Sequence, residues 1–106
     1  MRLTKTYKID SSSVQGEGSF IELKRITYGE RREVIAKIQE LEDNDTLFAF
    51  YLEKVKEFVL DWNWQDENGV PIPLGEFELL MPEELSFIVS SIGRLLRGEL
   101  VLDTKN

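Results

Sequence analysis

The sequence contains neither cysteine nor histidine. Without cysteine there are no disulfides, thiolate metal sites or sulfur nucleophiles, and the absence fits a reducing cytoplasm. Without histidine the chain lacks the side chain most used for proton transfer near neutral pH, which is also the commonest metal ligand. No apolar run approaches the ~18 residues of a membrane span, and the basic, polar start is not that of a signal peptide. A soluble, cytosolic protein with no membrane partner is expected. Proline is scarce, at positions 71, 73 and 82 only.

What is present suits one ordinary domain. The 106 residues are 42% hydrophobic and 31% charged, enough to bury a core without staples. Net charge is −7, unevenly spread. Residues 1–37 carry eight Lys/Arg against five acids, and residues 38–106 carry five against fifteen. So acidic a chain repels nucleic acid, and no nucleic-acid partner is expected.

The fold class read from the pattern is α+β, mainly helical: an N-terminal β-hairpin, three main helices, and an extended corner containing both tryptophans. Over residues 2–10 Leu3, Tyr7 and Ile9 alternate with polar residues, as in a half-buried strand. Residues 11–19 (SSSVQGEGS) have the composition of a flexible loop. In residues 20–26 Ile21 and Leu23 share one face and Phe20 and Ile26 the other, so residues 2–26 are expected to pair as a hairpin. Thr27 and Glu30 match a capping box, opening a helix over 28–42 with Val34, Ile35, Ile38 and Leu41 on one stripe. Asp45 is expected to cap a second helix over 46–60, whose buried face would be Phe48, Tyr51, Leu52, Val55, Phe58 and Val59. Residues 27–60 are thus two helices.

Residues 61–81 are the extended corner and a short turn. Val70-Pro71-Ile72-Pro73 cannot be helical throughout, and residues 75–81 suit one turn presenting Phe77 and Leu80. Pro82, Glu83 and Glu84 suit the start of a third helix over 82–98, with Gly98 as its stop and Gly93 placed for a close helix contact. Residues 99–106 are expected to fray.

No catalytic constellation emerges. Asp61, Asp66, Glu67, Glu76 and Glu78 lie in polar turns without the burial that tunes a carboxylate. Asp61-Asn63-Gln65-Glu67 outlines a calcium loop but lacks its sixth-position glycine and twelfth-position glutamate. Gly16-Glu17-Gly18 opens no helix and precedes no Gly-Lys-Ser/Thr. No catalytic residue, metal or cofactor is expected. In an extended segment Trp62 and Trp64 point the same way, as a lid on the core or as anchors for a partner. Leu47, Phe48, Phe50 and Tyr51 give the second helix more apolar surface at its start than one packing face needs. These four and the two tryptophans are the candidate partner-binding residues.

The run Val59-Leu60-Asp61-Trp62-Asn63-Trp64-Gln65-Asp66-Glu67-Asn68-Gly69-Val70-Pro71-Ile72-Pro73-Leu74, continued by Glu78-Leu79-Leu80-Met81-Pro82-Glu83-Glu84-Leu85, resembles the tail assembly chaperones of long-tailed bacteriophages. So does the β-like run from Phe20 that meets a helix at Ile26-Thr27-Tyr28-Gly29-Glu30. The resemblance covers about two thirds of the chain. It implies a non-enzymatic protein of the infected host's cytoplasm, absent from the mature virion, that binds the tape measure protein, keeps it soluble and promotes assembly of tail tube protein around it. It also makes self-association plausible. Two other classes fit the residues: a structural phage protein such as a head–tail connector, and an acidic inhibitor or nucleic-acid mimic.

Overall fold

The computed structural model describes residues 6–100. Its architecture is α+β: a three-stranded antiparallel sheet of β1 (Tyr7–Asp10), β2 (Phe20–Leu23) and β3 (Val59–Trp62), in that order, with helices α1 (Ser12–Gln15), α2 (Tyr28–Glu40), α3 (Asn44–Phe58) and α4 (Pro82–Leu96). The hairpin expected over 2–26 forms, though its first residues, 2–5, lie outside the described part. Tyr7 pairs with Leu23 and Ile9 with Ile21. Ile21 and Leu23, in alternate positions, are fully buried on one face. Lys8, Asp10 and Glu22 are on the other, where Lys8 Nζ stands 4.4 Å from the Phe20 ring centroid and Thr6 Oγ1 donates to Glu22 Oε1 at 2.9 Å. One dry face and one wet face are usual for an antiparallel sheet.

The third strand is a correction. Sequence periodicity carries the second helix to residue 60, but the helix ends at Phe58 and the chain turns into the sheet. Ile21 pairs with Trp62, Glu22 with Asp61 and Leu23 with Val59. That register skips Leu60, a β-bulge that leaves its side chain exposed. The extra residue lets Val59 and Trp62, three apart, both face the core, which regular alternation forbids. A V-L-D-W segment with a bulge shows no period of two.

Residues 11–19 are likewise not a flexible loop. They hold α1, and Ser11 and Ser19 are buried opposite each other. Ser11 N–H donates to Ser19 O at 3.1 Å, Ser11 Oγ to Ser19 Oγ at 2.7 Å, and Ser19 Oγ to Gly16 O at 2.7 Å. Three short-range bonds close the loop.

The capping box of α2 is present in both directions, with Glu30 N–H donating to Thr27 Oγ1 and Thr27 N–H to Glu30 Oε1, each at 3.1 Å. The cap of α3 is Asp43, not Asp45. Its Oδ2 accepts from Thr46 N–H at 3.0 Å and from Thr46 Oγ1 at 2.9 Å, while Asp45 falls in the first turn, where an acid still favours the dipole. α4 begins at Pro82 as its sequence requires, and Gly98, at φ 71°, terminates it. Glu99 N–H returns to Arg94 O at 3.0 Å and Leu100 packs on the core, so the expected fraying does not begin at residue 99. The remainder of that stretch, 101–106, lies outside the described residues. A Cβ at Gly93 would meet only Arg97 Nη1, at 3.2 Å, and no neighbouring helix.

The core lies between the dry face of the sheet and α4, which buries Ile88, Ile92, Leu95 and Leu96 along one stripe. Between them the corner residues pack as an aromatic row. Trp62 and Trp64 stack at 5.4 Å and 10°, Phe77 meets Trp62 edge-on at 5.6 Å, and Phe87 of α4 lies 6.3 Å from Trp64.

Candidate partner-binding surface

Of the six candidate residues, the structure removes two from the surface. Trp62 is 7% exposed and Trp64 1%. Each indole N–H is spent internally, Trp62 Nε1 on Ile72 O and Trp64 Nε1 on Ser11 Oγ, both at 2.8 Å. With face, edge and donor all engaged, neither ring offers a contact to a partner. Both tryptophans are core, and the lid reading holds for each.

The other four lie together on the first half of α3. That helix buries only Val55 and Phe58, both in its last turn, against six positions expected from the pattern and its extension into residue 59. Phe48 is 53% exposed, and Leu47, Phe50 and Tyr51 are half-buried. The physical reason is geometric. Val55 and Phe58, near the end of α3, enter the core, whereas Phe50 packs against it only in part. Phe50 and Phe58 line a groove between α2 and α3 together with Val34, with Glu30, Glu33, Lys37, Lys54 and Glu57 around it. Lys54 Nζ lies 5.4 Å from the Phe50 ring centroid, covering one aromatic face with a cation.

Among the described residues, the titrations shifted from ordinary values are those of two helix caps and of the Arg97–Glu99 pair just after α4. The Glu30 carboxyl is lowered, first by the Thr27 N–H it accepts and then by Lys24. Asp43 is lowered by the Thr46 N–H and hydroxyl. Glu99 is lowered and Arg97 raised by their mutual hydrogen bond. Each of these groups has a structural role. Among the described residues no three metal-ligating side chains gather, and no helix is long and apolar enough to cross a membrane.

A second feature is a cleft beside a turn that the sequence does mark, Asp66-Glu67-Asn68-Gly69. The residues Asp66-Glu67-Asn68-Gly69 form the turn of a small hairpin, closed by Asp66 N–H to Val70 O and Ile72 N–H to Trp64 O, both at 2.9 Å. Asp66 Oδ1 accepts from the Asn68 and Val70 amides at 2.8 and 3.0 Å, and Gly69 supplies the positive φ, 78°. This turn faces Leu79, Met81 and Glu84 across a cleft of about 250 Å³ floored by Ile72. Glu84 is buried there. Its Oε1 accepts from Met81 N–H at 2.7 Å, and its Oε2 accepts from Gln15 Nε2. Gln15 in turn holds Gln65 by both backbone groups, at 2.9 and 3.0 Å. The sequence signal was the pair Leu79 and Met81 beside Pro82, apolar residues that no helical stripe requires.

Compared with protein families, curated proteins and solved structures, the chain matches none.

Proposed function

We propose that this chain is a tail assembly chaperone of a long-tailed bacteriophage, binding the tape measure protein and keeping it soluble while tail tube protein assembles around it. The observation that carries the reading is the apolar first half of α3, where Phe48 is exposed and Leu47, Phe50 and Tyr51 are only half-buried on a strongly acidic protein. An amphipathic partner helix laid along that surface would be read through anchors one turn apart, and the chaperone's charge would keep the complex dispersed. The residues from Val59 to Leu74 and from Glu78 to Leu85 that resemble the family support the same reading. The protein then acts in the host cytoplasm, is not an enzyme, and leaves before the virion matures.

The test is co-expression with the tape measure protein encoded beside it, followed by pull-down at low and high salt. Apolar burial should dominate, so salt should weaken the complex only modestly. Leu47→Glu and Phe48→Glu should abolish it while leaving the circular dichroism unchanged. A tape measure protein that stays insoluble with or without this chain would sink the proposal. Recovery of the chain from mature particles would favour a connector.

A further inference from the structure

The cleft between the 66–69 turn and the Leu79–Met81 segment is chemically unlike the α3 surface. Its apolar side is exposed, Leu79 at 58% and Met81 at 39%, and the segment joining the two walls leaves Val70 and Leu74 exposed as well. Its polar wall is Asp66 and Glu67. From Glu57 through Gly93 the chain carries eight acids and not one lysine or arginine. Of those eight, Glu57 alone forms ion pairs among the described residues, with Lys24 and Lys54. Asp66 and Glu67 therefore stand beside the apolar floor with no ion-pair partner among the described residues. A concave site lined by one sign of charge concentrates ligands of the other.

We propose that this cleft docks a cationic amphipathic helix of a partner protein, its apolar face on Ile72, Leu79 and Met81 and its lysines or arginines toward Asp66 and Glu67. The cleft itself is held in shape. Ile72 O is bonded by the Trp62 indole, and the Glu84 carboxylate is fixed by Met81 N–H and Gln15. A preformed groove loses little order on binding. The site is separate from the α3 surface and does not depend on the chaperone reading.

The probe is a fluorescein-labelled peptide of about five helical turns with leucine on one face and lysine on the other, followed by anisotropy. A matched peptide with glutamate in place of lysine is the control. The Leu/Lys peptide should bind the parent protein, and the glutamate version at least about tenfold more weakly. Leu79→Ser with Met81→Ser should weaken binding about tenfold, with tryptophan emission unchanged as a check on the fold. Asp66→Asn with Glu67→Gln should weaken it less and flatten its salt dependence, since a carboxamide oxygen at position 66 still accepts from the turn's two amides. Phe48→Ser should leave it unchanged. The proposal is overturned if the Leu79/Met81 variant binds like the parent, or if Phe48→Ser costs as much. It is overturned too if the peptide fails to bind and sedimentation shows instead a dimer that the Leu79/Met81 variant dissolves, because the cleft's occupant would then be a second copy.

Discussion

Trp64 concentrates three constraints in one side chain: it is fully buried, stacked on Trp62, and bonded through its indole to Ser11, 53 positions away. Trp64→Ala should destabilise by about 3–5 kcal/mol, the range for deleting a large buried aromatic, as measured by denaturant titration. Trp62→Ala should fall in the same range, since that ring is also buried. A variant at either position that melts like the parent would refute the aromatic row as the centre of the core. Ser11→Ala tests the hydroxyl that accepts from Trp64 and donates to Ser19 Oγ. It removes the acceptor and leaves a buried indole N–H unsatisfied, which should cost about 1–3 kcal/mol. An unchanged midpoint would mean that water replaces the hydroxyl. Alternation in the sequence placed both rings on one side, because side-chain direction follows from the backbone alone. Ser11 was not legible as their partner, because nothing local in a run of three serines marks the one that a distant indole will reach.

The helix caps make the clearest case at the scale of elements. Thr27→Ala should cost about 1 kcal/mol by losing the N-cap acceptor of α2. Glu30 and Asp43 both titrate below their ordinary values because amide donors favour the ionised form. A depressed folded value contributes stability above the ordinary carboxylate range, and the contribution is lost as pH falls through the lowered value. The protein should therefore lose helical stability on acidification toward pH ~3. Asp43→Asn, which keeps the cap without the charge, should melt with a shallower acid dependence than the parent. A steeper one would rule out the cap as a source. The capping box was readable because Thr-x-x-Glu is a local signature. Asp43 was missed because three consecutive residues, Asp43-Asn44-Asp45, can each cap, and only the position of Thr46 as the third helical residue selects the first. The end of α3 was missed for a different reason. Phe58 and Val59 suit a helical stripe and a strand equally, and pairing with β2, remote in sequence, decides between them.

The molecule as a whole is flat, about 41 × 40 × 20 Å, and charged mostly with one sign. With eight acids and no base over residues 57–93, self-repulsion should exceed what the scattered surface ion pairs return. Raising salt from about 0.02 to 0.3 M should therefore raise the melting temperature through screening. A fall would mean that the pairs around Lys24 and Lys54 outweigh the repulsion. The fold class was legible from element types. The candidate surface was legible in part, since the excess of apolar residues at the start of α3 is visible in sequence. The cleft was not, because its two walls come together only when Gln15, Gln65 and Glu84 meet.

The order of strands also bears on how the chain is made. β2 is the centre of the sheet, yet its second partner, β3, follows it only after α2 and α3, about 35 residues later. A ribosome adding roughly 5–20 residues per second takes roughly 2–7 s to supply that stretch, and a lone hairpin is marginal in water over that interval. Ile21 and Leu23, fully buried in the finished protein, must wait uncovered on the nascent chain. The time of greatest exposure to misassociation therefore falls during synthesis, before Trp62 and Trp64 have emerged to close the sheet.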